Sequence, residues 1–169
     1  MKIRESTLRL TVMANLCAIA VVGRIYLSGI GGFQPVTFIV IITALFMGLK
    51  YSMAIAAIST IITNIFLGWG IWTFYQIFSW CAIALLSMLF VKFRDKLVVV
   101  SVWSFVSGFV YGFIVSLWAY LFVEAPAGFF IYWIAGLSHD FVHASGNLIF
   151  CWTMYPLFVF LLKKLKILK

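Results

Sequence analysis

Asn64-Ile65-Phe66-Leu67-Gly68-Trp69-Gly70-Ile71-Trp72-Thr73-Phe74-Tyr75-Gln76-Ile77-Phe78-Ser79-Trp80 joins two apolar segments through a Gly-Trp-Gly turn. The apolar runs on either side are too long for strands and lack period-two alternation, so the stretch reads as the tip of a helical hairpin. Gly68 and Gly70 permit a tight turn, and the indoles of Trp69, Trp72 and Trp80 add flat apolar surface with one donor each. Two readings follow. Trp and Tyr gather where spans meet headgroups, which gives an interfacial belt. The amides of Asn64 and Gln76 point instead to a cavity, because an amide at membrane depth is costly unless it is paired or faces one.

Working outward, the chain has 169 residues, 66% of them hydrophobic and 9% charged, with a mean hydropathy of +1.19. That excludes an ordinary soluble domain and implies an integral membrane protein. Only helices and closed barrels satisfy the backbone in lipid, and the ten-residue alternating segments of a barrel are absent. The expected architecture is one domain over 1–169, an all-α bundle with six spans at roughly 8–28, 35–49, 53–68, 73–91, 98–122 and 140–162.

The formal charge of +8 does not mark a nucleic-acid protein, because the basic residues sit at span ends. Of the 12 Lys and Arg, all but Arg24 fall on one side: Lys2, Arg4, Arg9, Lys50, Lys92, Arg94, Lys96 and the tail from Lys163 to Lys169. Both termini are therefore expected in the cytoplasm, with the Asn64–Trp80 turn outside. Lys2, Arg4 and Arg9 before an apolar run resemble a signal peptide, but no clean small-residue cleavage site follows, and this run is expected to stay as the first span. Cys17, Cys81 and Cys151 lie in three different apolar runs, so neither a disulfide framework nor a zinc knuckle is supported.

Candidate site residues collect toward the outer side. Arg24 either snorkels to phosphate or holds a ligand oxygen. Gln34-Pro35-Val36-Thr37 opens the second span, with Pro where a first turn tolerates it, and puts Gln34 and Thr37 at the mouth. Ser59, Thr60 and Thr63 climb the third span as ligand contacts or interhelical glue. Tyr111 and Trp118 lie on the fifth span, where Gly108 and Gly112 permit close crossing. After Glu124-Ala125-Pro126-Ala127-Gly128, the run Phe129 to Leu137 is too short to span and reads as an interfacial segment or lid.

The last span is expected to start near Ser138 as cap, with Asp140 favoured by the positive helix end. Asp140, His143 and Asn147, spaced i, i+3, i+7, share a face and form either a ligand-facing stripe or a closed interhelical network. His139 and His143 lack the Glu and second ligand cluster of a zinc site, and an Asp140/His143 catalytic pair lacks a nucleophile. No metal, cofactor or catalytic residue is expected. Ala14-Asn15-Leu16-Cys17-Ala18 is a small-xxx-small pattern that serves either bundle packing or a partner helix.

The residues resemble the substrate-binding S components of energy-coupling factor (ECF) vitamin transporters. The resemblance rests on Ala14 and Ala18, on Gly23-Arg24, on Gln34-Pro35-Val36-Thr37, on Asn64-x-Phe66-Leu67-Gly68-x-Gly70-x-Trp72-Thr73-x-x-Gln76 and on Asp140-x-x-His143-Ala144-x-Gly146-Asn147. It covers nearly the whole chain and is most similar to the branch for cobalamin or cobamide precursors. Ser138-His139-Asp140 stands where such proteins commonly carry Pro-Phe-Asp.

The resemblance implies a six-helix subunit of a bacterial cytoplasmic membrane that captures a vitamin at its outer face and topples in the bilayer to deliver it inward. It implies as partners a coupling transmembrane subunit, docked on Ala14 and Ala18, and two ATPase subunits. The chain itself has no phosphate-binding Gly-rich loop with Lys-Ser or Lys-Thr, so hydrolysis is expected elsewhere. Pyridoxamine and riboflavin are alternative cargoes. A small intramembrane enzyme using Asp140 and His143, or a plain assembly subunit, are the readings from other classes.

Overall fold

The computed structural model describes residues 2–123 and 128–165, without the side chains of 2–5 and 123. The loop expected at Glu124-Ala125-Pro126-Ala127 and the basic tail at Lys166 and Lys169 lie outside the described residues, as do the side chains of Lys2 and Arg4. The described chain is all helical: α1 (Lys2–Tyr26), α2 (Val36–Met47), α3 (Leu49–Leu67), α4 (Trp72–Ser87), a 3₁₀ turn (Met88–Phe93), α5 (Leu97–Val123) and α6 (Phe129–Lys164). Five of these helices are long and apolar enough to cross a membrane, with α2 shorter at Val36–Met47.

The fold is organised around α2. Its 12 residues are apolar but for Thr37 and Thr43, and all are buried. A helix that is hydrophobic all round suits a protein interior or lipid, and here α2 is enclosed, packing against every other helix of the bundle. Pro35 precedes it, and the Pro35 carbonyl accepts the first intrahelical bond from Ile39. The N-terminal approach is close: a Cβ on Gly23 of α1 would stand 2.5 Å from Pro35 Cγ. Gly48 alone separates α2 from α3. Its φ of +100° is open to glycine and strained for other residues, so the short turn expected before residue 53 contracts to one residue and Lys50 joins the first turn of α3.

Several hydroxyls in these apolar helices are satisfied within their own helix. Thr60 donates to the Ala56 carbonyl at 2.6 Å, Ser79 to Tyr75 and Ser87 to Ile83, each at 2.7 Å. These i to i−4 bonds close a hydroxyl without any partner helix. Ser52 reaches across instead, donating to the Val40 carbonyl at 2.7 Å and tying α3 to α2.

The main departure from expectation is α6. It runs unbroken for 36 residues, about 54 Å at 1.5 Å per residue. The segment 129–137, expected as a separate interfacial lid, forms its first turns. Gly128, with φ +88°, supplies the break just ahead of the helix, and nothing between Phe129 and Asp140 interrupts it: Gly136 is the single Gly or Pro of that segment, and one such glycine costs only about 1 kcal/mol. Ser138 is therefore inside the helix and caps nothing, and Asp140 lies about three turns in, beyond the field of the positive end. Aromatic contacts hold the early turns to α5, with Phe113 edge-on to Phe129 at 5.5 Å and to Trp133 at 5.3 Å.

Further along, α5 and α6 form the closest crossing in the bundle. A Cβ on Gly108 would stand 2.5 Å from the Ala144 Cα, and one on Gly112 would overlap the Asp140 carboxylate. The two glycines thus do what the sequence suggests, letting one backbone lie against another.

Candidate functional site

The helix ends that carry the C-terminus of α1, the N-terminus of α2, the C-terminus of α3 and the N-terminus of α4 meet at one end of the bundle. Arg24 is buried at 7% exposure. Its Nη1 donates to Thr63 Oγ1 at 2.8 Å and its Nη2 to Gln76 Oε1 at 3.0 Å. The guanidinium lies 4.9 Å from the Trp80 ring centroid, a geometry in which the ring quadrupole attracts the cation. Asn64 Nδ2 donates to Gln76 Oε1 at 2.9 Å and to Thr73 Oγ1 at 2.8 Å. The two amides that flank the Gly-Trp-Gly turn are therefore bonded to each other, and one carbonyl oxygen, Gln76 Oε1, gathers donors from α1 and α3.

A second chain of contacts leads from Trp80 into the bundle. Trp80 Nε1 donates to Thr37 Oγ1 at 2.9 Å, and Thr37 Oγ1 lies 2.7 Å from His143 Nε2. Thr37 Oγ1, which accepts the indole proton, thus links Trp80 to one ring nitrogen of His143. The other, Nδ1, is buried and has no hydrogen-bond partner. Tyr111 fills the space between, its ring 4.9 Å from Trp80 and 4.9 Å edge-on to His143.

Along the same face of α6, the Asp140 Oδ2 and both amide atoms of Asn147 are also buried without a partner. Buried polar groups normally have partners, and each one left open costs about 1–3 kcal/mol. Four open atoms on one helical stripe, Asp140 Oδ2, His143 Nδ1, Asn147 Nδ2 and Asn147 Oδ1, make this face unlike the closed cluster on α1, α3 and α4.

Two clefts open above these groups. One, of about 320 Å³, is lined by Arg24, Gln34, Gln76, Tyr111 and His139 together with the loop 27–33. The other, of about 340 Å³, lies between α5 and α6 and is lined by Tyr111, Gly112, Ser116, Tyr132, His139 and Asp140, among others. Tyr111, Val115 and His139 line both. His139 rests on the loop, its ring 3.4 Å from where a Cβ on Gly31 would stand. Its Nδ1 is 4.0 Å from Asp140 Oδ1, too far for a hydrogen bond.

Of the residues expected at the site, Arg24, Thr37, Asn64, Gln76, Trp80, Tyr111, Asp140 and His143 are joined in this polar layer, and Gln34 stands at the mouth. His143 and, one turn below it, Asn147 line neither cleft. Three of the aromatic residues lie apart. Trp69 is 54% exposed and packs on Phe74; Trp72 folds back so that its Nε1 donates to the Gly68 carbonyl at 3.2 Å; Trp118 belongs to an apolar recess with Ile71, Phe74, Tyr75, Phe78 and Phe122. The indole of Trp72 braces the turn rather than facing a cleft.

Sequence reading did not single out Ser116 and Tyr132. Tyr132 was hidden by the assignment of its segment to a lid, and its i to i+8 spacing from Asp140 becomes informative only once both sit on one helix. Thr73 was legible as part of a motif, but its bond to Asn64 was not. Ala14 and Ala18 are exposed on the outer face of α1, with Asn15 exposed beside them. Among the described residues no group of three His, Cys, Asp or Glu could hold a metal ion. Comparison with known protein families, curated proteins and solved structures gives no match.

Proposed function

We propose that the chain is a small-molecule-binding membrane subunit of ECF S-component type, working in a bacterial cytoplasmic membrane, with cobalamin or a cobamide precursor as cargo. The observation that carries this reading is the conjunction, at one end of the bundle, of open clefts with a buried carboxylate, Asp140, that lines one of them and has an oxygen without a hydrogen-bond partner. A mostly apolar recess with a few convergent polar groups is the usual make-up of a small-molecule site. The helices that form it are apolar toward lipid, which suits a subunit that reorients in the bilayer. The basic side chains at the opposite end favour cytoplasmic termini and an outward-facing mouth.

In this reading recognition belongs to the chain and hydrolysis to two ATPase subunits, coupled through a transmembrane partner seated on the Ala14 and Ala18 face of α1. Catalysis by Asp140 and His143 is disfavoured by the bond that occupies His143 Nε2. A second reading, a smaller vitamin such as pyridoxamine or riboflavin, is favoured by size: clefts near 320 and 340 Å³ stand at the lower end of the ~300–1,000 Å³ range of such sites. A corrinoid would keep most of its bulk outside them.

Mass spectrometry of the small molecules that co-purify with the detergent-solubilised chain tests both readings. A corrinoid supports the first and a smaller vitamin the second. Absence of any bound molecule, together with no heat of binding for cobalamin, its truncated precursors, pyridoxamine or riboflavin, would sink the proposal.

A further inference from the structure

Two formal charges are buried at the cleft end among the described residues, and the structure gives them different fates. Arg24 is held by Thr63 and Gln76 and covered by Trp80. Its charge is spread over neighbours that are already in place, so it offers little to an incoming anion. Asp140 is 4% exposed, and its carboxylate is pressed against the Gly112 backbone of α5, where a Cβ would overlap it. Oδ2 has no partner, and Oδ1 has only the His139 ring at 4.0 Å. A carboxylate taken out of water without a paired donor is strongly unfavourable. Asp140 also lines the α5–α6 cleft, whereas Arg24 lines only the neighbouring one.

We infer that the α5–α6 cleft selects small ring-bearing ligands that present a protonated amine to Asp140. The inference rests on the small-molecule reading above and names the chemistry of the group that enters. Tyr111 and Tyr132 line the same cleft and offer aromatic surface to the ligand ring and to its cation. Ser116 supplies a hydroxyl, and Ala135 with Gly136 leaves the α6 wall low: a Cβ on Gly136 would meet nothing within 4 Å. About 340 Å³ accepts a single substituted ring. A ligand carboxylate is excluded by the same group, since it would face Asp140 with no free cation in that cleft.

Three compounds built on one pyridine ring test this on the purified full-length chain: pyridoxamine with an ammonium, pyridoxine with a hydroxyl, and 4-pyridoxic acid with a carboxylate at the same carbon. Pyridoxamine is expected to bind at least about tenfold more tightly than pyridoxine, and 4-pyridoxic acid most weakly. Asp140→Asn should reduce the amine preference, read as the ratio of pyridoxamine to pyridoxine affinity in that variant, to within about threefold. His139→Ala, which removes the competing ring and leaves the carboxylate in place, should preserve the preference. Should Asp140→Asn fail to fold, the order of the three compounds on the native chain still decides. Equal binding of amine and acid, loss of the preference in His139→Ala alone, or no binding of pyridoxamine would overturn the inference. The S-component reading would survive each of these, because it is judged on the molecule that co-purifies.

Discussion

Asn64 and Asn147 are both buried amides within apolar helices, 1% and 0% exposed, yet they end in opposite conditions. Asn64 donates to Thr73 and Gln76. Asn147 has neither its oxygen nor its nitrogen paired. The contrast extends to their surroundings: the Arg24, Thr63, Asn64, Thr73 and Gln76 cluster closes on itself, and the Asp140, His143, Asn147 stripe on α6 stays open. A closed polar cluster in an apolar bundle fixes geometry and is costly to disturb. An open one has interaction energy to offer something that enters. The division separates α1, α3 and α4, whose polar groups hold one another in place, from α6, of whose open groups Asp140 alone lines a cleft.

The harshest way to break this arrangement is to move α6 off α5. Gly108→Leu places a side chain where Ala144 backbone already lies 2.5 Å from an added Cβ. It should cost about 3 kcal/mol or more, read as a large fall in the thermal midpoint in detergent together with loss of ligand binding. A retained midpoint would mean that the crossing is loose.

The comparison itself is sharpened by making the same substitution in both amides. Asn64→Leu takes the Asn64 donor from buried Thr73 Oγ1 and one of two donors from Gln76 Oε1, which keeps Arg24, and should destabilise the ligand-free chain by about 2 kcal/mol. Asn147→Leu removes two atoms that have no partners, and should leave stability within about 1 kcal/mol of the original, or raise it. Equal penalties at the two positions, measured by denaturant or thermal unfolding, would erase the distinction between closed and open halves.

Much of this was legible beforehand, and the limits have physical causes. The Val36–Met47 run was legible as an apolar helix, but not as the enclosed one, because all-round apolarity suits lipid and protein interior alike. Asn64 and Gln76 are polar where polarity is costly, so their proximity to a partner or a cavity followed from composition. Asp140, His143 and Asn147 share a face by spacing. What spacing does not carry is which face meets which helix, as the aromatic residues show. Trp69, Trp72 and Trp118 have surfaces that suit a pocket, a headgroup layer or a turn equally, and here packing on Phe74, a bond to Gly68 and stacking on Tyr75 settle them. The start of α6 was misjudged because Ser138 and Asp140 look like a cap. A capping residue marks a helix end only where the chain before it has a reason to stop, and Phe129 to Leu137 has none.

The hub position of α2 bears on how such a chain enters a bilayer. Twelve residues of helix reach about 18 Å, well short of the ~30 Å hydrocarbon core, and the single-residue link at Gly48 ties α2 directly to α3. Alone in lipid, α2 would leave its end carbonyls and amides far from water. In a bilayer its placement would rest on α3, to which Gly48 ties it, and on α1, made before both. The shortest of the apolar helices is also the one that touches every other, and the order of synthesis delivers it ahead of α3 to α6.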